Sequence, residues 1–276
     1  MTLLTVNAMS QSLMRTVTFN VYLPSDKVDM TGNLIAKPPY KTLYLLHGII
    51  GDQNDWLVGT RIASIAKHHN LAVVMPAGEN QFYLDQPDHM NNYSQFIGKE
   101  LLDLTRNMLP LSHKREDTYI AGLSMGGFGA LHNGLKFHDN FSAIGAFSSG
   151  LILEDAVAST DESPVPFQKR SYYKAVFGDL TTLLESDQNP AYQVRQLAKS
   201  SAAIPQLYIT CGTEDSFLEA NNNFVAELKA NKVPHTYETW SGGHEWAFWD
   251  KSVEKFIDWL GLEDDRSGVA SDNING

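Results

Sequence analysis

Apolar residues recur along this chain with two alternating periods, short continuous or every-second blocks giving way to residues spaced three and four apart. Residues 16–23 alternate apolar and polar and stop at Pro24, which predicts a half-exposed strand. Residues 42–46 and 71–76 are continuous apolar runs and predict buried strands. Between them Leu57, Ile62, Ile65 and Ala66 fall at helical spacing, predicting a helix over 56–69. Residues 77–93, rich in Gly, Asn, Asp and Pro, read as loop. A helix is expected over 94–108, with Phe96, Ile97, Leu101, Leu104 and Met108 on one face and Pro110 just beyond its end. A strand over 119–122 is followed by a helix over 128–136, and 141–148 reads as another buried strand. Strand 206–211, helix 217–231, strand 235–240 and a final helix over 253–260 complete the pattern.

Strand, helix and strand repeated in this way predict an α/β fold, with a mostly parallel central sheet and helices on both faces. Residues 150–204 break the rhythm with Pro164, Pro166 and Pro190, several aromatics and a mixed helical pattern. They are expected to form a small cap-like insertion over the sheet's C-terminal edge, where open α/β sheets place ligands. A segment of roughly 50 residues makes a marginal core by itself, so 1–264 is read as one domain. The polar residues 265–276 read as a flexible tail.

Composition narrows the partners. The 276 residues are 43% hydrophobic and 19% charged, with a net charge of -11. That balance argues against a nucleic-acid or anionic-membrane surface. With Cys211 as the single cysteine, neither an internal disulfide nor a thiolate metal cluster is expected. No leader pattern and no run of about 20 apolar residues is seen, so a cytoplasmic location is expected. A homo-oligomer is compatible with the chain, although no coiled-coil heptad or isolated amphipathic segment announces an interface.

The chemistry centres on Gly122-Leu123-Ser124-Met125-Gly126. A serine on a sharp strand-to-helix turn holds its hydroxyl clear of the sheet, and side chains two residues either side would collide. Nucleophilic catalysis by serine also needs a base, a carboxylate that orients it and donors for the oxyanion. His244 follows strand 235–240, and its two preceding glycines allow a turn that presents the ring. Glu214 and Asp215 both follow strand 206–211, and spacing alone does not separate them. The eight other histidines lie where solvated or capping rings are usual, in the long loop or, for His47, beside the candidate site. His47 is expected to brace its loop. Met125, after the nucleophile, would donate one oxyanion amide, and Ile49, in the His47-Gly48-Ile49 loop, the other. Trp56, Phe82, Tyr83, Phe128 and Trp246 are candidate walls of a small acyl pocket. No metal or organic cofactor is required, and the glycine run after Ser124 has neither dinucleotide nor P-loop spacing.

Four blocks together resemble the esterase D branch of the α/β-hydrolases: His47-Gly48 with Asp52 to Trp56, the elbow through Ala130, Gly212 to Leu218, and Gly243 to Trp249. That branch includes S-formylglutathione hydrolases, tributyrin-type esterases and, more distantly, mycolyltransferases. The resemblance spans about residues 15–262 and, within the branch, is nearest to bacterial tributyrin esterases. It implies the α/β-hydrolase fold, Ser124 as nucleophile, Asp215 rather than Glu214 as acid, His244 as base, and the Ile49 and Met125 amides as oxyanion hole. It further implies a serine carboxylesterase acting on a small ester with a short acyl chain. S-formylglutathione hydrolases carry histidines where this chain has Leu123 and Phe128, which tilts the expectation away from glutathione thioesters. A thioesterase or a deacetylase of sugar or aryl esters is the alternative. A non-catalytic binding protein of the same fold is the reading from another class, and retention of all three triad candidates disfavours it.

Overall fold

The computed structural model describes residues 1–269, organised by an eight-stranded sheet. Its strands are β1 (Thr2–Ser10), β2 (Arg15–Leu23), β3 (Lys41–Leu46), β4 (Leu71–Pro76), β5 (Thr118–Leu123), β6 (Ala143–Phe147), β7 (Gln206–Gly212) and β8 (His235–Trp240). Their spatial order is β1-β2-β4-β3-β5-β6-β7-β8. β2 pairs antiparallel with β1 and β4, and each neighbouring pair from β4 to β8 is parallel. This is the mostly parallel sheet of an α/β-hydrolase.

The apolar strands are covered on both faces. Tyr44 and Leu46 of β3 and Ala72 and Val74 of β4 point into one core. Their alternating neighbours Leu43, Leu45, Val73 and Met75 point into the other. That two-sided burial explains why the runs are continuous rather than alternating. The second core is closed by α1 (Asp55–Gly59), α2 (Ile62–His68) and, from the end of the chain, α9 (Trp246–Trp259). The first is closed by α3 (Leu101–Met108), α4 (Met125–Lys136), α7 (Pro190–Leu197) and α8 (Leu218–Ala230). Between β6 and β7, residues 150–204 form α5 (Leu153–Ala158), α6 (Arg170–Phe177), α7 and two short 3-10 turns.

Several boundaries differ from expectation. The helix expected over 56–69 is two helices, broken where Thr60 is extended and its Oγ1 accepts from the Ile62 amide. The last helix starts at Trp246, two turns early, with Trp246 and Trp249 packed edge to face in its first turn. β1 is an unanticipated edge strand, with every second residue exposed along most of its length. Within the expected tail, Asp265 donates its amide to His68 O, and its carboxylate and carbonyl accept from the buried Lys27 Nζ. The Val269 amide also pairs with Val28 O. These contacts tie residues 265–269 to the body, and 270–276 lie outside the described residues.

Candidate active site

Ser124 sits between β5 and α4 with φ 53° and ψ -119°, a conformation few non-glycine residues adopt. The surrounding backbone holds it there. Its amide donates to Phe147 O at 2.9 Å, and its carbonyl accepts from the Gly150 amide at 2.8 Å and the Phe128 amide at 3.0 Å. Gly122 and Gly126 make the turn sterically feasible. A Cβ on Gly122 would lie 2.3 Å from Gly126 O, and one on Gly126 would lie 2.3 Å from Leu46 O and 2.6 Å from His47 O.

The structure brings the three triad candidates together. His244 Nε2 lies 3.0 Å from Ser124 Oγ, and His244 Nδ1 lies 2.9 Å from Asp215 Oδ2. The other Asp215 oxygen accepts from the Phe217 amide at 2.9 Å. Burial works to raise the Asp215 carboxyl, yet the His244 and Phe217 hydrogen bonds outweigh it and hold the group below its ordinary range. Asp215 is thus an anion poised to stabilise an imidazolium. The His244 side chain stays 31% exposed, with its ring edge-on to Trp249 at 4.8 Å and to Phe217 at 5.1 Å.

Glu214 takes a different job. Its carboxylate accepts from the Gly242 amide and the Ser241 hydroxyl, bracing the loop that carries His244. Adjacent acids therefore separate by direction: Asp215 meets the ring and Glu214 meets the backbone beside it.

His47 is buried, and its Nδ1 lies 2.6 Å from Gly48 O while its Nε2 accepts from the Gly78 amide at 2.8 Å. A neutral ring protonated on Nδ1 satisfies both contacts, and burial pushes its pKa below the ordinary histidine value. His47 braces the loop as expected. Ile49, Ser124 and Met125 share the wall of one cavity of about 410 Å³. The Met125 amide stands at the first position of α4, where no intrahelical acceptor exists.

Ten of the fifteen residues lining that cavity come from the 150–204 insertion, among them Ile152, Asp155, Phe167 and Tyr173. Phe82 lines it too, and so does Phe217, which follows Asp215 by two positions. The other expected pocket walls do not. Trp56 is buried in the second core, donating Nε1–H to Leu46 O and meeting Trp246 edge to face. Trp246 is packed against Gly59 and Trp249. Tyr83 is fully buried and donates its hydroxyl to His47 O. Phe128 is fully buried among Phe82, Phe177 and His132. Proximity in sequence to a motif placed all four near the site, but helix and loop direction turned Trp56, Tyr83 and Phe128 into the cores and laid the half-buried Trp246 against the second one. Among the described residues no group of three or more His, Cys, Asp or Glu side chains is arranged to hold a metal ion. No helix there is long and apolar enough to cross a membrane.

A family-wide sequence profile described as "Putative esterase" matches residues 10–258. The chain belongs to this esterase family. A relative named acetyl esterase, from Caldicellulosiruptor saccharolyticus, is 38% identical over 261 residues, covering 94% of this chain and 98% of that protein. Among solved structures, the fluorophosphonate-binding serine hydrolase FphF of Staphylococcus aureus superposes with a TM-score of 0.82 at 27% identity. The S-formylglutathione hydrolase FrmB of Staphylococcus aureus does so with a TM-score of 0.80 at 29% identity. Each covers 94% of this chain and 98% of its own. The esterase is a serine carboxylic ester hydrolase of the esterase D and S-formylglutathione hydrolase branch, with the α/β-hydrolase fold. The departures at Leu123 and Phe128 are both buried in cores rather than exposed to the cavity of this esterase, so any effect they have on substrate choice is indirect.

Proposed function

We propose that this esterase hydrolyses small esters of short acyl chains, acetyl to butyryl, through an acyl-enzyme on Ser124. The observation that carries the reading is the continuous relay Asp215–His244–Ser124, with contacts of 2.9 and 3.0 Å, opening on a cavity of about 410 Å³. His244 takes the Ser124 proton as Oγ bonds to the ester carbon, and Asp215 stabilises the imidazolium. The Ile49 and Met125 amides receive the oxyanion; loss of one such donor costs about 3–4 kcal/mol in other enzymes. When the tetrahedral adduct collapses, the carbon–alkoxy bond breaks and His244 gives its proton to the leaving alcohol. Water, deprotonated by His244, then attacks the acyl-enzyme and releases the acid with Ser124 restored. No cofactor enters the scheme. The 38% identical relative carrying the name acetyl esterase supports the short acyl group. A cytoplasmic setting goes with this reading and rests on the lone, buried Cys211.

p-Nitrophenyl acetate, butyrate and octanoate test it. Turnover should fall from acetate or butyrate to octanoate, and Ser124→Ala should lose about 10³-fold or more in kcat while melting at the wild-type temperature. Failure of the wild type to cleave any of the three would end the reading. Resemblance to FrmB favours one second reading, an S-formylglutathione-type thioesterase. Under it, S-formylglutathione would exceed p-nitrophenyl acetate in kcat/KM.

A further inference from the structure

The cavity's charge is one-sided. Asp155, in α5 of the insertion, is the one ionisable acid on its wall, and no Lys or Arg lines it. Among the described residues no hydrogen bond or ion pair engages the Asp155 carboxylate, which is exposed to solvent. Arg170 approaches the same turn but donates Nη1 to Val157 O and Ser159 O and stays off the wall. Asp155 also acts on its neighbourhood: after burial, its charge is what raises the Tyr173 hydroxyl. Tyr173, Phe167, Phe82 and Phe217 put four aromatic rings on the same wall. An uncompensated carboxylate among aromatic faces attracts cations and repels anions.

We infer that Asp155 is a specificity-determining residue that selects esters by the charge of their leaving group, favouring cationic and neutral alcohols or thiols and rejecting anionic ones. The inference rests on the proposed reaction at Ser124, with the short acyl group at the oxyanion side and the leaving group toward the insertion. It supplies a local reason for disfavouring glutathione thioesters, whose leaving group carries a net negative charge, that the buried Leu123 and Phe128 do not.

Three thioacetates with the same reacting atoms isolate charge: S-acetylthiocholine, S-ethyl thioacetate and S-acetylglutathione, followed by thiol release. The quantities read are the cation-to-neutral and anion-to-neutral ratios of kcat/KM. In Asp155→Asn the first ratio should fall about fivefold and the second should rise about fivefold, and both changes should shrink in 0.5 M NaCl. Glu154→Gln removes the same charge one residue earlier on the helix, outside the cavity wall, and should move neither ratio. Where a charged thioester is turned over too slowly, its Ki against p-nitrophenyl acetate gives the same comparison. Ratios that do not move in Asp155→Asn, or that move equally in Glu154→Gln, overturn the inference while p-nitrophenyl acetate turnover keeps the parent reading standing. Absence of any ester turnover overturns both.

Discussion

The cavity has two unlike walls. The sheet wall, with Ser124, Met125 and Ile49, is set by main-chain hydrogen bonds and by glycines against backbone oxygens. The insertion wall is set by short helices and 3-10 turns, and half of its lining residues, Asp155, Thr160 and Gln168 among them, are exposed. Chemistry demands sub-ångström placement and is found where the backbone is over-determined. Selectivity tolerates looser placement and is carried by side chains on an adaptable surface. Substitutions on the two walls should therefore fail in different ways: lost rate or lost fold on the sheet side, altered choice of substrate on the other.

The largest contrast is between adjacent acids. Asp215→Asn keeps the shape but withdraws the charge beside His244 and admits the wrong tautomer, so kcat should fall by about 10⁴-fold, as for an orienting carboxylate in a protease triad. Glu214→Gln changes an exposed brace on the Gly242 amide and should lose far less. Equal losses in kcat would show that the loop brace, and not the Asp215 charge, limits the reaction.

Next comes the fold of the elbow itself. An alanine at Gly126 would place Cβ 2.3 Å from Leu46 O. Overpacking of this kind costs about 1–3 kcal/mol or more, so Gly126→Ala should lower the denaturation midpoint and activity together. Gly178, the glycine that ends α6 in the insertion, has φ 74° and nothing within 4 Å of an added Cβ. Gly178→Ala should cost about 1–3 kcal/mol, from backbone strain alone, and leave kcat in place. Urea unfolding of both variants checks the difference.

What the sequence revealed follows the same division. The elbow, His244 and an acid at 214 or 215 were legible because steric and chemical demands restrict residue type at fixed offsets from strands, and His47 was legible as a brace for the same reason. Glu214 and Asp215 could not be separated from spacing, since direction in a loop depends on tertiary partners such as the Gly242 amide. The pocket walls were misjudged. Trp56, Tyr83, Phe128 and Trp246 lie beside motifs yet serve the cores, whereas Tyr173 and Phe167 lie in a segment with no motif to mark them. β1 was missed because its alternation is that of an edge strand, exposed on every second residue, and its helix-like neighbours were absent as a guide. The last helix begins at Trp246 and not at 253, and no capping serine, threonine or aspartate announces its N-terminus.

Away from the cavity wall, His132 of α4 ties the helix after the elbow to the insertion. Gln193 of α7 donates its amide to His132 O at 3.2 Å and lies 3.3 Å from Nδ1, while Ser94 Oγ lies 3.3 Å from Nε2. Burial, followed by the nearby Lys136 charge, lowers the ring's pKa to about 3. Below an unfolded value of about 6.5 the unfolded chain takes up a proton that the native chain refuses. Stability is therefore lost as pH falls from about 6.5 toward 3, by about 1.4 kcal/mol per pH unit for one such group. His47 is shifted in the same direction, so its effect adds. In His132→Gln the slope of unfolding free energy against pH, measured between pH 6 and 4, should flatten by one proton. An unchanged slope would mean that the ring is protonated in the native state, with Gln193 or Ser94 turned to accept from it.

The smallest effect belongs to the insertion wall. Phe167 lies in the 3-10 turn Pro166–Gln168, lines the cavity and is 37% exposed, so little core depends on it. Its removal enlarges the cavity without touching the elbow. Methylene-scale changes in an apolar pocket are worth about 1–3 kcal/mol when fully buried, and partial exposure reduces this. Phe167→Ala should thus raise the kcat/KM ratio of octyl acetate to ethyl acetate by about fivefold, with kcat on ethyl acetate little altered because Asp215, His244 and Ser124 keep their geometry. Val58→Ala, at an 86% exposed position of α1 off the cavity wall, supplies the matching surface truncation and should leave the ratio alone. A ratio that stays fixed in Phe167→Ala would assign chain-length selection to the sheet wall, where Ile49 and Met125 already border Ser124, and would leave the insertion with charge alone to sense.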